Sequence, residues 1–478
     1  MENKTKAKDC EYEHDPVPKS ALLGIKSFFG QYAGEHTAGT ELMIGPLFVA
    51  CGVSAFNLIV GLLLGNFLAV LSWRYITTPI AVRARLTLYT QLERICGKKL
   101  VILYNLANGI MFCFLAGAMI TVSATAIGVF VDFPMPGLND ILPGSVGWIL
   151  AVLAVGTVIS VVAGMGYRTV AKFANYAAPW MTLVFIAFGL VALREFISCT
   201  GVKIDSVSKL WTLASTLVWK GGTPLAGQVK FTFWHVVFFA WFCNMAMHIG
   251  MSDLSVLRFA QKTSYGWTPA AGVYLGHFGA WIAASLLYAL QLQRDPGNTS
   301  VLPGPMAYQA CGLTGLLCVV IAGWTTANPT IYRAGLAFQA VFSNTSRFKV
   351  TLITGAIATV TGMFPAIAMK LLDFVALYGL ILMPMGAVIF VDFWFAKRLG
   401  FKNNYAWEQG LVFYYPAFLS WILSIVFCLL IVFSGKIDLY FVSLPGWFAA
   451  AGIYIVSSWV FQKYWEKINS KGVAVCSK

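Results

Sequence analysis

The chain has 478 residues, of which 59% are hydrophobic and only 11% are charged. Soluble domains carry roughly twice that share of charge, so the composition excludes a soluble globular protein. The net charge of +14 does not indicate a nucleic-acid partner, because the basic residues recur in short connections between apolar segments, as the positive-inside rule describes. We therefore expect a multi-pass protein of the cell membrane, with both termini in the cytoplasm and the lipid bilayer as its surroundings.

The first apolar segment, residues 21–51, follows a polar tail that does not have the pattern of a cleavable signal peptide. Inside this segment, residues 30–41 contain three glycines, two glutamates and a histidine. A helix of about 20 residues is enough to cross a bilayer. Irregular backbone at membrane depth is tolerated only where it is buried in protein or lines a polar cavity. The stretch therefore predicts a first helix that is broken at a binding site.

Eleven further segments are predicted to cross the membrane, which makes about twelve in an all-α integral membrane protein. The sixth ends in a second polar, glycine-bearing stretch, Asn244–Asp253, and the eighth is expected to be interrupted around Asn328 and Pro329. The predicted segments are residues 53–76, 100–130, 146–164, 170–192, 231–252, 270–292, 307–342, 349–371, 374–395, 411–433 and 441–462.

A repeated spacing relates the two parts of the chain. The same number of residues separates Gly39 from Gly250, Gly61 from Gly272, and Gly65 from Gly276. Five helices form an odd-numbered unit, so a repeat of that unit has inverted topology, and paired broken helices in two such halves indicate the midplane binding site of a secondary transporter. The predicted organisation is an N-terminal tail (1–20), a five-helix repeat (21–196), an extracytoplasmic connection (197–229), a second five-helix repeat (230–398), two accessory helices (399–465) and a C-terminal tail (466–478).

The eighth and tenth helices carry a family resemblance. The stretch Trp324-Thr-Thr-Ala-Asn-Pro and the stretch Ile389-Phe-Val-Asp-Phe-Trp-Phe-Ala-Lys-Arg resemble the nucleobase:cation symporter family, which includes hydantoin, cytosine and purine permeases of LeuT-type fold. Weaker matches are collinear with these from about residue 21 to 400. The resemblance implies a symporter rather than an enzyme, with no organic cofactor.

The resemblance also implies a sodium site between the first and eighth helices. Its ligands would be the backbone carbonyls of Ala33, His36 and Ala322 and the hydroxyls of Thr325 and Thr326. Sodium is a hard cation, and unwound carbonyls beside hydroxyls supply the oxygen ligands it takes. The alternative for the two hydroxyls is a bond to carbonyls of their own helix, and the alternative coupling ion is a proton.

The substrate site that the resemblance implies departs from the family pattern. Carried over by position, its residues are Thr37, Phe114, Met119, Trp241, Asn244 and, on the eighth helix, either Asn328 or Tyr332. The usual pair of aromatic rings that holds a flat heterocycle is incomplete here, which favours a more polar or cationic small-molecule solute.

Ionisable residues inside membrane segments are functional candidates by default. Glu35 is predicted to pair with a basic group on the substrate or to carry a coupling proton, with a structural pairing to a histidine or to Arg333 as the alternative. His248 is a candidate substrate ligand or a packing residue, and His277 is expected to pack. Asp253 is expected to close the sixth helix or to pair with Arg258.

Arg333 is expected to snorkel or to form an inner gate. The leading hypothesis is cation-coupled symport of a nucleobase-like heterocycle (purine or cytosine, for example) or a related polar metabolite by alternating access. The alternatives are a proton-coupled permease for a cationic or amine-bearing solute such as a thiamine-like compound, and a membrane sensor without net transport. An intramembrane enzyme and a channel are disfavoured, because the chain has no catalytic cluster and no repeated selectivity filter.

Overall fold

The computed structural model describes residues 11–137, 139–366 and 371–476. Parts of the predicted tails (1–10 and 477–478) and the predicted ninth-helix residues 367–370 lie outside these ranges. Within them the chain is all-α, and its β pairing is limited to two isolated bridges. The helices are α1 (Ile25–His36), α2 (Glu41–Ala50), α3 (Ala55–Ala84), α4 (Leu88–Cys96), α5 (Lys98–Val131), α6 (Val146–Gly164), α7 (Tyr167–Thr200), α8 (Val207–Leu213), α9 (Phe233–Phe242), α10 (Met245–His248), α11 (Leu254–Leu257), α12 (Thr263–Arg294), α13 (Pro303–Val341), α14 (Arg347–Gly362), α15 (Leu371–Trp394), α16 (Tyr405–Glu408), α17 (Tyr415–Phe433) and α18 (Leu439–Cys476).

The predicted all-α membrane architecture is confirmed. In the part of the chain that the structure describes, nine helices are long and apolar enough to cross a membrane. The first predicted crossing is divided into α1 and α2, the sixth into α9, α10 and α11, and the ninth corresponds to the 16-residue helix α14. Short 3-10 turns at Lys19–Ala21 and Lys397–Leu399 precede the first crossing and follow the tenth.

The two predicted breaks are present. Helix α1 ends at His36, and Thr37 leaves the helical region with φ −94° and ψ 60° before α2 begins at Glu41. In the sixth crossing, Asn244 separates α9 from α10 with φ −117° and ψ 24°, and Met251 has a positive φ of 64°. Both polar stretches therefore interrupt a membrane helix.

The predicted interruption of the eighth crossing at Asn328 and Pro329 is wrong. Helix α13 continues through Pro329, and its non-helical residues are Cys311 and Gly312, the latter with φ 55°. A proline inside a helix removes one N–H donor, here the one that would reach the carbonyl of Thr325. Membrane helices tolerate such a residue because neighbouring groups satisfy the freed carbonyl, so the Asn-Pro pair marks no break.

The glycine spacing corresponds to equivalent packing in the two halves. Gly61 and Gly65 of α3 lie against α9, where an added Cβ on Gly61 would come within 2.8 Å of Val236. Gly272 and Gly276 of α12 lie against α1, where an added Cβ on Gly276 would overlap the carbonyl of His36. The second crossing of each half thus packs on the broken helix of the other half, as an inverted repeat requires.

We expect Gly276→Ala to destabilise the protein markedly. The new methyl group meets backbone, which cannot rotate away as a side chain does, and overpacking of this kind costs roughly 1–3 kcal/mol. The melting temperature of the purified protein checks this. The matched control is Gly452→Ala on α18, because nothing lies within 4 Å of a Cβ added there. Equal melting temperatures for the two variants would contradict the close approach of α12 and α1.

The N-terminal segment 11–24 lies across one end of the helix bundle, which we call the N-terminal face. The carbonyl of Tyr12 accepts a hydrogen bond from Arg258 at 2.6 Å, and the carbonyl of Glu13 accepts one from Thr90 at 2.7 Å. The Glu13 carboxylate lies 3.3 Å from the Arg347 guanidinium. These contacts connect the segment to α4, to the end of α11 and to the start of α14.

Candidate functional site

A cavity lies at the level of the two helix breaks, with about 820 Å³ of space between protein atoms that is partly open to solvent. One wall is the apolar side of α5, and the polar groups come from the breaks and from α12 and α13. The residues of the lining that bear on its chemistry are Glu35, Thr40, Glu41, Ile44, Met111, Leu115, Met119, Phe242, Asn244, His277, Thr326, Thr330 and Tyr378.

A buried charge network lies between the cavity and the N-terminal face. Arg333 of α13 donates two hydrogen bonds to the Glu35 carboxylate, from Nη1 at 2.6 Å and from Nη2 at 3.2 Å. Its Nη2 also donates to Asp253 at 2.6 Å. The Arg333 side chain is only 1% exposed, so the three groups join α1, α13 and the start of α11 in the interior of the bundle.

The second oxygen of Asp253 completes the network. It accepts hydrogen bonds from the Tyr32 hydroxyl and from the Trp73 indole, both at 2.7 Å. The predicted pairing of Asp253 with Arg258 is wrong, because Arg258 instead reaches the Tyr12 carbonyl. Snorkelling of Arg333 is also wrong, because its guanidinium is buried. With two carboxylates and one guanidinium, the ionised network carries a net charge of −1.

Four of the oxygen atoms relevant to a sodium site lie together between α1 and α13. The hydroxyls of Thr325 and Thr326 both donate to the Ala322 carbonyl at 3.0 Å. The Thr326 hydroxyl also donates to the Glu35 carbonyl at 3.1 Å. This set of two hydroxyls and two carbonyls has the hard-oxygen character that sodium takes. Both hydroxyls bond to a carbonyl of their own helix, so the geometry agrees equally with the alternative in which the two threonines bind no ion.

The other two predicted carbonyls have different surroundings. The carbonyl of Ala33 accepts from both the amide and the hydroxyl of Thr37, at 3.1 and 2.8 Å. The carbonyl of His36 lies against Gly276 of α12. Sequence reasoning missed the Glu35 carbonyl. Successive helical residues are rotated by about 100°, so an offset of one residue changes the direction of each carbonyl.

Three of the predicted substrate residues, Glu35, Met119 and Asn244, line the cavity. Trp241 instead donates its indole N–H to the Ser72 hydroxyl at 3.0 Å. The His248 ring lies 4.5 Å from that of Trp73, as a packing residue would. The remaining four lie outside the lining: Thr37, whose hydroxyl donates to the Ala33 carbonyl, Tyr332, whose hydroxyl accepts from Arg258, Asn328 and Phe114.

Glu41 and His277 line the cavity although neither was predicted as a ligand. The carboxylate of Glu41 accepts a hydrogen bond from the Trp281 indole. His277 stacks on Trp281 with ring centroids 4.5 Å apart, so it does pack as predicted, but it also presents its edge to the site. The signal for Glu41 was present in the sequence, since it ends the same polar stretch as Glu35.

Comparison of the sequence with family models and with curated proteins yields no match. Solved structures do match. Mhp1, a nucleobase-cation-symport-1 family transporter in a closed conformation with bromovinylhydantoin bound, superposes with a TM-score of 0.70 at 15% identity, over 95% of this chain and 96% of that one. Mhp1 in its inward-facing conformation gives a TM-score of 0.63 at 15% identity, over 94% and 95% of the two chains.

Two other transporters have the same architecture. The outward-open state of a Na⁺-coupled sialic acid symporter gives a TM-score of 0.65 at 13% identity, over 95% of this chain and 93% of that one. MhsT in complex with L-phenylalanine gives 0.56 at 12% identity, over 92% and 98%. The chain is therefore an all-α integral membrane protein with the fold of Mhp1, and this is the fold that its motifs predicted.

Proposed function

We propose that the protein is a secondary active transporter that carries a small heterocyclic, nucleobase-like or related polar solute by cation-coupled symport. The observation that carries the proposal is the polar cavity at the meeting point of two broken helices from opposite halves of the bundle. Half-helix ends and unwound carbonyls at such a point can hold a solute and an ion together. The transporters of the same fold support symport as the general mechanism.

Alternating access requires the cavity to close on one side at a time. On the side of the N-terminal face, the network of Arg333, Glu35 and Asp253 blocks the path with buried side chains. On the opposite side, a vestibule of about 1380 Å³ approaches the cavity, and Ile44 lines both spaces. A path closed at the N-terminal face and a neighbouring solvent-open space on the opposite side suit a state between outward-open and occluded. The higher TM-score with closed than with inward-facing Mhp1 supports this assignment.

We assign the coupling sodium to the oxygen set formed by Glu35, Ala322, Thr325 and Thr326. A cation bound there would be coordinated by carbonyl and hydroxyl oxygens from α1 and α13 at once, so it would stabilise the contact between these two helices. Opening toward the N-terminal face separates α1 from α13 and releases the ion together with the solute. The alternative coupling ion is a proton. The network of Glu35, Asp253 and Arg333 has a net charge of −1 when ionised, so one of its two carboxylates can take up that proton.

The orientation follows from the distribution of charge. Arg258 and Arg347 contact the N-terminal segment, and Arg168 lies near the start of α7 on the same side. By the positive-inside rule, we assign the N-terminal face to the cytoplasm and the protein to the cell membrane. Residues 21–196 and 230–398 are the two proposed repeats, with residues 399–465 as accessory helices.

Gradient-driven uptake into proteoliposomes tests the function. The panel contains purines, pyrimidines, hydantoins, thiamine and amino acids, each with an inward sodium gradient and with potassium replacing sodium. We expect sodium-dependent accumulation of one class of solute and its loss in Thr325→Ala/Thr326→Ala. The control is Thr354→Ala, because the Thr354 hydroxyl bonds within α14 alone.

The purified protein provides a second readout. Sodium at about 100 times its dissociation constant should stabilise the wild type by roughly 2.7 kcal/mol, and the double variant should lose that response. A sodium response that survives in the double variant would exclude this ion site and favour a proton as the coupling ion. Absence of gradient-driven uptake for every solute in the panel would contradict the transport function itself.

A further inference from the structure

The position of Glu41 distinguishes it from the other carboxylate of the cavity. Glu41 lies in the first turn of α2, directly after the break, and only 3% of its surface is exposed. One carboxylate oxygen accepts from the Trp281 indole. The other lies 3.7 Å from Nε2 of His277, a contact that is ionic only when the imidazole is protonated.

The charges that line the cavity do not balance. Glu35 is matched by Arg333, whereas Glu41 has no Lys or Arg beside it, and none occurs among the described residues of the lining. An ionised carboxylate in the interior costs several kcal/mol unless a cation or a set of donors compensates it. The N-terminus of α2 offsets part of this cost. An ionised Glu41 therefore requires positive charge from the contents of the cavity to offset the remainder of this cost.

Two neighbouring side chains extend the site. The Asn244 amide nitrogen lies 3.4 Å from Nε2 of His277, so the amide oxygen of Asn244 is a second acceptor at the same wall. His277 is 3% exposed, and its Nδ1 has no hydrogen-bond partner in the described structure. Stacking on Trp281 at an interplanar angle of 9° holds the ring in place. Opposite these groups, Met111 and Met119 of α5 offer an apolar surface.

We propose that Glu41, Asn244 and His277 form an anionic subsite that selects a planar organic cation with N–H donors. The carboxylate and the amide oxygen accept the donors, and the flat body of the solute packs on the methionines and beside the rings of Phe242 and Tyr378. This proposal rests on the proposed function, since it names the class of solute that the transport site takes. An amidinium or a quaternised aminoheterocycle fits the chemistry, and a neutral nucleobase leaves the Glu41 charge uncompensated.

Matched pairs of probes test the charge requirement on the purified full-length protein. The pairs are benzamidine with benzamide and 1-methylnicotinamide with nicotinamide, and thiamine, hypoxanthine and hydantoin complete the panel. The measurement is the dissociation constant from the concentration dependence of the melting temperature. We expect at least one cation to bind, with at least tenfold weaker binding of its neutral counterpart.

Glu41→Gln should weaken binding of that cation at least tenfold and remove its advantage over the neutral compound. The amide oxygen of glutamine still accepts from the Trp281 indole, so the variant keeps that packing contact. Glu195→Gln is the control, because Glu195 forms an exposed ion pair with Arg294. An unchanged affinity for the cation in Glu41→Gln, or wild-type protein that binds the neutral members as tightly, overturns the proposal. If Glu41→Gln does not give monodisperse protein, the selectivity of the wild type decides alone.

Uptake separates this proposal from the transport function. If the ion gradient drives accumulation of a neutral solute and Glu41→Gln leaves that uptake unchanged, the transport function stands and the anionic subsite is wrong. If a cation binds in a Glu41-dependent manner but no solute accumulates, the subsite stands and the transport function is wrong.

Discussion

Replacing Arg333 with alanine is expected to lower the free energy of unfolding by roughly 3–5 kcal/mol, because it leaves two buried carboxylates without their shared cation. Glu35 is 7% exposed and Asp253 is fully buried, so water cannot take over the role of the guanidinium. The charge of the network changes from −1 to −2. The melting temperature of the purified protein is the measurement, and we expect a larger loss than for Gly276→Ala.

The control for this substitution is Arg294→Ala. Arg294 lies 2.7 Å from Glu195, a distance similar to those of Arg333, but both members of this pair are about half exposed. Exposed pairs contribute about 0–1 kcal/mol, so this variant should melt close to the wild type. The triple variant Glu35→Gln/Asp253→Asn/Arg333→Gln removes all three charges and should recover part of the loss. An Arg333→Ala protein as stable as Arg294→Ala would show that the network does not carry buried charge.

Glu35→Gln is expected to leave the protein folded but to open the path from the N-terminal face. The substitution reduces the network to one neutral pair, Arg333 with Asp253, so no uncompensated charge remains. It also replaces the two-pronged charged contact between α1 and α13 with a weaker hydrogen bond. A loss of about 1.4 kcal/mol from the closed state shifts its population roughly tenfold, and we expect gradient-driven accumulation to fail as a result.

Cys243 provides a direct readout of this opening, because it lines the cavity. In a background where the other cysteines are serine, a membrane-impermeant maleimide applied at the N-terminal face should modify Cys243 roughly tenfold faster in Glu35→Gln than in the parent. Glu195→Gln, in the same background, should not change the rate. An unchanged rate together with normal accumulation would refute the role of Glu35 in closure and leave it as a packing partner of Arg333.

The membrane architecture was predictable because its signals are local. Each crossing is a run of apolar residues, and the breaks at Thr37 and Asn244 lie in polar, glycine-bearing stretches within such runs. The glycine spacing likewise predicted the inverted repeat, since a helix surface without Cβ atoms is needed wherever two backbones approach closely. The eighth crossing shows the limit of local signals, because the neighbours of Pro329 decide whether its missing N–H interrupts the helix.

The composition of the candidate site was only partly predictable. The stretch that ends the first helix contains both carboxylates of the cavity, yet its pattern did not distinguish the role of Glu41 from that of Glu35. Met119 and Asn244 reach the cavity, whereas Trp241 and His248 turn toward α3 and pack there. Neighbouring residues of one helix point in directions that differ by about 100°, so the packing angle of the helix selects those that face the solute.

The sequence by itself determined the class of protein, the two broken helices and their inverted relation, because these depend on hydrophobicity and backbone chemistry within single segments. Only the tertiary structure decided which charges meet. Arg333 and Glu35 are 298 positions apart and Arg333 and Asp253 are 80 apart, and no local pattern relates them. Each charge is costly alone in a low-dielectric interior, so the fold has to bring the three together, whereas Glu41 has no Lys or Arg partner among the described residues of the cavity lining.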